Sequence, residues 1–129
     1  MRFKDFLIEK INNTDNEADI VLHQIINNVD EAHVDYTDDR LDFNVGIILK
    51  RSVYTRLFIT ILRESNESVK LAKNNSSDKG GYTVVIETDD FPSRMEIDRF
   101  LSSKDVYMRV KEQVMLFIDN YKETGDEFK

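Results

Sequence analysis

The 129-residue chain contains no cysteine, which excludes disulfide bonds, thiolate metal sites and cysteine nucleophiles. Its apolar runs are only a few residues long, as at residues 47–49, whereas a membrane-spanning helix needs about 20 apolar residues. Near the start, Asp5 and Glu9 stand where a signal peptide would place an apolar segment. These absences predict a soluble, cytoplasmic protein that makes no membrane contact.

Glycine and histidine are also scarce, and this bears on catalysis. The chain has four glycines, and the pair Gly80-Gly81 lacks the following Lys-Ser or Lys-Thr of a phosphate-binding loop. Of the two histidines, His23 lies four residues after Asp19 on a predicted helix, which more often makes a surface pair than a metal or acid–base site. No histidine stands near a strand-to-helix elbow with a serine. We therefore expect no enzymatic activity, no cofactor and no metal site.

The residues that are present predict one domain with a real core. Apolar residues make up 40% of the chain and charged residues 33%, which is too apolar for general disorder. The length fits a single domain over residues 1–129.

The apolar spacing changes along the chain from a helical to a strand period and back. Helical spacing over residues 2–12, a break at Asn12-Asn13 and a Thr14–Glu17 capping box predict a helical hairpin over residues 1–33. Strict alternation from Leu41 to Leu49 opens a predicted antiparallel sheet over residues 41–88. Within it, residues 53–63 are apolar on both faces, as in a central strand, while residues 65–73 fit either a strand or a helical turn.

The C-terminal part returns to helical spacing. Pro92 and a second capping box, Ser93–Glu96, predict C-terminal helices over residues 92–122, and residues 123–129 are expected to be a frayed tail. Because successive strands are joined by short connections, the sheet is predicted to be a meander of three or four strands. The fold class is therefore a two-layer α+β domain, with N-terminal and C-terminal helices flanking the antiparallel sheet.

Charge is unevenly distributed along the chain. The net charge is −7, and counting by segment gives −7 for residues 1–45, +4 for residues 46–82 and −4 for residues 83–129. Six acidic residues fall within thirteen positions: Asp30, Glu31, Asp35, Asp38, Asp39 and Asp42. Such a run is often only a solvated loop, but it can also be a contact surface for a basic partner.

The acidic run leads to the first functional prediction. Carboxylates on a short segment can imitate a phosphate array and occupy the basic groove of a nucleic-acid-handling protein. The sequence therefore predicts a small, acidic, non-catalytic inhibitor or adaptor, as in inhibitors from phages and mobile elements or in immunity proteins.

Two alternatives remain open. Tyr54, Arg56 and Phe58 alternate along the predicted central strand and could stack on bases. Tyr54 and Phe58 are more often expected to pack under the helices, and a charge of −7 opposes nucleic-acid binding. The other alternative is a structural subunit of a virion or similar assembly, in which oppositely charged segments join copies of the chain into a homo-oligomer.

Overall fold

The computed structural model describes residues 3–49, 53–74 and 81–123. Within these ranges lie three α-helices, two short 3-10 helices and five strands. The helices are α1 (Phe3–Asn28), α2 (Ile97–Ser102) and α3 (Lys104–Glu123), with 3-10 helices at Val29–Glu31 and Arg94–Glu96. The strands are β1 (Asp35–Tyr36), β2 (Arg40–Leu49), β3 (Val53–Arg63), β4 (Ser68–Lys73) and β5 (Tyr82–Thr88).

The strands form one sheet in the order β1-β2-β3-β5-β4. All neighbours are antiparallel except β3 and β5, which are parallel. β3 is the middle strand, which confirms the prediction from its two apolar faces. Residues 65–73, left ambiguous by the sequence, contain the edge strand β4.

The α+β class with terminal helices is confirmed, but two details of the predicted sheet are wrong. The sheet has five strands, and it is not a simple meander because β5 inserts between β3 and β4. β5 suits this inner position, since Val84 and Ile86 are buried on one face and Val85 is half-buried on the other. β4 carries Lys70 and Lys73 and suits an edge.

The predicted N-terminal hairpin is also wrong, because α1 is a single helix through Asn12 and Asn13. Asparagine lowers helix propensity only modestly, and neither glycine nor proline interrupts the segment. The Thr14–Glu17 sequence lies inside the helix rather than at its start. The C-terminal helices form near the predicted positions, and residues 124–129 of the predicted tail lie outside the described ranges.

The helices cover one face of the sheet, and no helix or strand of the described ranges forms a second layer on the other face. α1 packs on β2, α3 packs on β4 and β5, and the two helices pack on each other. The alternating residues of β2, β3 and β5 that face the helices are buried, including Leu41, Ile47, Leu57, Ile59, Ile61 and Ile86. We call the other side of the sheet the open face. No helix in the described ranges is long and apolar enough to cross a membrane.

Candidate binding surfaces

Acidic side chains from separate segments meet at one end of the sheet. The strand register places the start of β2 at Arg40, the end of β3 at Arg63 and the end of β5 at Thr88 together at this end. Two backbone hydrogen bonds join the adjoining loops, from the Arg63 amide to the Asp39 carbonyl and from the Glu64 amide to the Thr88 carbonyl, both 2.9 Å. Exposed carboxylates on these loops belong to Asp38, Asp39, Glu64, Glu67, Asp89 and Asp90.

The 3-10 helix after α1 adds two more carboxylates. A guanidinium nitrogen of Arg94 lies 3.3 Å from the carbonyl oxygens of both Val29 and Asp30 and donates to them. This holds Asp30 and Glu31, both exposed, beside the loop that follows β5. We call the eight residues Asp30, Glu31, Asp38, Asp39, Glu64, Glu67, Asp89 and Asp90 the acidic end.

Nearby arginines do not neutralise the acidic end by contact. Arg63 donates from Nε to the Asp38 carbonyl oxygen at 3.1 Å, and its guanidinium carbon lies 4.7 Å from the Phe91 ring centroid. Arg94 uses its side chain on backbone carbonyls. Among the residues that the structure describes, none of the eight carboxylates of the acidic end forms an ion pair. All eight side chains are exposed to solvent, and Asp39 contributes to the raised pKa of the neighbouring Arg40.

Apolar side chains stand among these carboxylates. Tyr36 on β1 is 47% exposed, and its ring centroid lies 6.1 Å from that of Phe91. Met95, beside Arg94, is 90% exposed. Tyrosine and methionine are enriched at protein interfaces, and energetically important aromatic residues are often surrounded by polar groups. The acidic end therefore combines negative charge with exposed apolar anchors.

Two of the six acids predicted from the sequence lie apart from the acidic end. Asp35 and Asp42 are directly paired across β1 and β2, on the open face. Asp42 is half-buried and accepts hydrogen bonds of 2.6 Å from Arg40 Nε and from the Thr60 hydroxyl. Its carboxylate raises the pKa of Arg40. The Asp35 carboxylate, largely exposed, lies 3.1 Å from His33 Nε2.

The residues of the nucleic-acid alternative also lie on the open face, so packing under the helices is wrong for Tyr54 and Phe58. Tyr54 is 61% exposed and Phe58 is half-buried. Arg56 donates a hydrogen bond of 2.6 Å to Asn44 Oδ1 on the neighbouring strand. All three side chains are therefore on the side of β3 that no helix covers.

A groove of about 440 Å³ crosses the open face. Phe58 and Thr83 contribute to it from the inner strands, while Asn44, Asp42 and Asp35 contribute from the β2 side. Members of the two sequence predictions, the acidic run and the aromatic strand, therefore line the same groove. Arg40 and His33 also line the groove, and each lies beside one of its carboxylates, Asp42 and Asp35 respectively.

The α1–α3 contact contains a polar network around Asp19, a residue that the sequence analysis had paired with His23. The Asp19 carboxylate instead accepts hydrogen bonds from the Tyr107 hydroxyl at 2.7 Å and from Lys111 Nζ at 3.2 Å, and Lys111 Nζ also lies 2.7 Å from Asp15. The Tyr107 hydrogen bond lowers the pKa of Asp19, while burial and Asp19 together raise the pKa of Tyr107 to about 12. A phenol with that pKa stays protonated at neutral pH and is unsuited to act as a general base there.

Metal binding has no candidate in the parts of the chain that the structure describes, since no group of three potential ligands converges there.

Four members of the acidic end and its exposed tyrosine were missed by sequence reasoning. Glu64 and Glu67 follow β3, Asp89 and Asp90 follow β5, and Tyr36 lies in β1. The signal was present as acidic residues directly after two apolar strands. It becomes readable only once β3 and β5 are known to be parallel neighbours, because parallel strands end at the same edge of a sheet.

No protein-family model, no curated protein and no solved structure matches this chain.

Proposed function

We propose that this chain is a small, non-catalytic binding protein of the cytoplasm whose acidic end occupies a basic surface on a protein partner. The observation that carries this proposal is the convergence of eight exposed carboxylates that form no ion pair among the described residues. An isolated acidic loop is commonly just solvated. Carboxylates from four separate chain segments at one end of a sheet form a broader negative surface.

The chemistry of this surface favours a partner that normally binds phosphates. A basic groove attracts a dense set of carboxylates by the same long-range electrostatics with which it attracts a nucleic-acid backbone. Tyr36 and Met95 supply apolar contact area that phosphates alone do not offer. The partner class is therefore a nucleic-acid-handling protein, and the action is to block or occupy its groove.

Direct nucleic-acid binding is less well supported by the same geometry. Tyr54 and Arg56 are accessible on the open face, but Asp35, Asp42 and Glu87 share that face. Asp42 and Glu87 are paired with Arg40 and Lys70, so the charges of this face largely cancel instead of attracting phosphates, and the chain as a whole carries a charge of −7.

Capture of the partner tests the proposal. The full chain is immobilised, exposed to a nuclease-treated extract of its source cell or of that cell's host, and washed at moderate salt before mass spectrometry. A basic protein should be retained by the unmodified chain and lost with the double variant Asp38→Lys, Asp90→Lys. Both side chains are exposed, and no hydrogen bond or ion pair of either side chain is found among the described residues.

The matched control reverses two exposed acids on α3, Glu112→Lys and Asp119→Lys. Its change in net charge equals that of the first double variant, so a general loss of negative charge affects both baits equally. Retention by the control together with loss by the Asp38, Asp90 variant supports the acidic end. Equal retention by all three baits contradicts the proposal.

A further inference from the structure

The open face carries several large apolar side chains, although no helix or strand of the described ranges covers it. Ile48 is 57% exposed and Tyr54 is 61% exposed, and the two are directly paired across β2 and β3. Phe58, Leu62 and Val85 lie on the same face and are half-buried although no element of the described ranges covers them. These five apolar residues, between which Arg56 and Thr60 stand on β3, form the apolar strip of the open face, and exposed apolar surface of this kind marks an interaction surface.

Charges along this strip are arranged symmetrically about its centre. The register places Asn44 opposite Phe58 at the middle. Two residues toward the acidic end, Asp42 is opposite Thr60, and two residues in the other direction, Gly46 is opposite Arg56. Arg56, which forms no ion pair among the described residues, therefore lies about 7 Å from Phe58 along the strands on one side, and the Arg40–Asp42 ion pair with Asp35 beside it lies on the other.

We propose that a second copy of this chain covers the open face, forming a dimer whose two-fold axis passes by Phe58 and runs across the strands. Such an axis reverses the strand direction in the second copy. Because the interface is isologous, each contact occurs twice. Arg56 of each copy then faces the groove beside Asp35 and Asp42 of the other copy.

The same two-fold rotation brings apolar residues of the two copies together. Leu62 lies four residues from Phe58 on one side, and Tyr54 lies four residues from it on the other. Reversal of the strands places Leu62 of one copy against Tyr54 of the other, with the two Phe58 rings at the centre. Two sheets packed face to face in this way resemble a sandwich, in which aligned packing at about −30° is common.

The area of the face is sufficient for a modest dimer. Four strands, β2 to β5, span about 19 Å across, and the longer two extend over about 30 Å. The product is roughly 600 Å² per copy, or roughly 1,200 Å² in total, which is the lower limit of stable interfaces. Area alone does not determine affinity, so the dimer is tested at a high chain concentration.

Charge favours a second copy over other occupants. Asp42 and Glu87 are paired with Arg40 and Lys70 within the face, which leaves Arg56 of one copy to meet Asp35 of the other, whereas a nucleic acid would bring phosphates onto Asp35. This inference stands independently of the acidic end, because Ile48, Tyr54 and Arg56 do not belong to it.

Solution mass tests the dimer, with a matched pair of variants. At about 100 μM, light scattering or sedimentation of the full chain should give twice the 15.2 kDa chain mass. Ile48→Lys should weaken dimerisation by at least tenfold, because it places a charge in the apolar strip. Ile20→Lys should leave the dimer unchanged, since Ile20 is similarly exposed, at 58%, but lies on α1. Thermal unfolding confirms that both variants are folded.

A charge exchange tests the register itself. Arg56→Asp alone and Asp35→Arg alone should each weaken dimerisation by at least tenfold, and the double variant should recover most of that loss because both partners of each contact are reversed. Three results would overturn the proposal: a monomer at 100 μM, an undiminished dimer with Ile48→Lys, or a series of larger species that indicates head-to-tail assembly.

Discussion

At the scale of single residues, Lys111 is a largely buried cation that pairs with two carboxylates. Its side chain is only 13% exposed, and Nζ contacts both Asp15 and Asp19 across the α1–α3 seam. The Asp15 hydrogen bond is the main cause that raises the pKa of Lys111. Arg109, two residues earlier on the same helix, is paired with Asp105 in a more exposed position. The contact of Lys111 between α1 and α3 can therefore be compared with the exposed Arg109–Asp105 pair.

We predict that Lys111→Met lowers the free energy of unfolding by about 1–3 kcal/mol, because two aspartates are left without their cation at a helix contact. Arg109→Met should cost at most about 0.5 kcal/mol, as is typical of an exposed pair. Urea unfolding of the three proteins measures both differences. Equal losses in the two variants would show that the seam network is no stronger than a surface pair.

Tyr107 gives a prediction at alkaline pH. Its pKa is raised to about 12 by burial and by Asp19, so its protonated form is favoured in the folded state. The stability it contributes is fully present below pH 10, its usual pKa, and is lost as the pH rises toward 12. The unfolding free energy should therefore fall between pH 10 and 12, and this fall should be smaller in Tyr107→Phe. Parallel pH profiles for the two proteins would contradict the assignment.

The α1–α3 contact shows which side-chain pairs can be predicted from the sequence and which cannot. The i,i+4 spacing of Asp19 and His23 is readable because both lie on one helix. Asp19 accepts a hydrogen bond from Tyr107, 88 residues later, and no local sequence pattern predicts a pairing over that separation. His23 is near the same network, with its ring centroid 6.3 Å from that of Tyr107.

At the scale of elements, one glutamine from α1 and one from α3 form hydrogen bonds with the backbone of the sheet. Gln24 of α1 donates from Nε2 to the Ile48 carbonyl oxygen at 2.9 Å and accepts from the Ile48 amide at 2.8 Å. Gln113 of α3 accepts from the Leu71 amide on β4 at 3.0 Å. Side-chain amides thereby occupy backbone groups that an unprotected edge would offer to another strand.

We predict that Gln24→Ala lowers the free energy of unfolding by about 1–2 kcal/mol, since two hydrogen bonds to Ile48 are lost. Gln113→Ala should cost about half as much, since it removes one. Freeing the edge should also increase the aggregation of the Gln24 variant on heating, which light scattering detects. If Gln24→Ala is no less stable than Gln113→Ala, the two-bond edge contact is not a stabilising feature.

The elements themselves were largely readable from the sequence, with informative exceptions. The alternation of β2 is strict because one face is buried and the other is open, which makes its period clear. The insertion of β5 between β3 and β4 was not readable, because strand order depends on long-range pairing. The break predicted at Asn12-Asn13 is wrong because asparagine lowers helix propensity only modestly and neither glycine nor proline interrupts the segment.

At the scale of the whole molecule, folding concentrates negative charge at one end. The local acidic run supplies only Asp30, Glu31, Asp38 and Asp39 to the acidic end; Glu64, Glu67, Asp89 and Asp90 arrive through the strand order. Half of this surface could thus be predicted from the sequence. The remaining half depends on the parallel pairing of β3 and β5, which the apolar pattern does not specify.

A concentrated charge also has a kinetic consequence. A basic partner should be steered toward the acidic end, so we predict that the association rate falls as salt rises from 50 to 300 mM. The dissociation rate should change less over the same range. Surface-binding kinetics with the captured partner measure both rates. An association rate that does not change with salt would contradict electrostatic steering.

The most direct test of the acidic end is the equilibrium dissociation constant of the captured partner for three forms of the chain. We predict at least a tenfold weaker complex, about 1.4 kcal/mol, for Asp38→Lys, Asp90→Lys, and less than a threefold change for Glu112→Lys, Asp119→Lys. Titration calorimetry with all three proteins shown to be folded gives these values. Equal affinity of all three forms, or an equal loss in both double variants, would contradict the assignment of the acidic end as the binding surface.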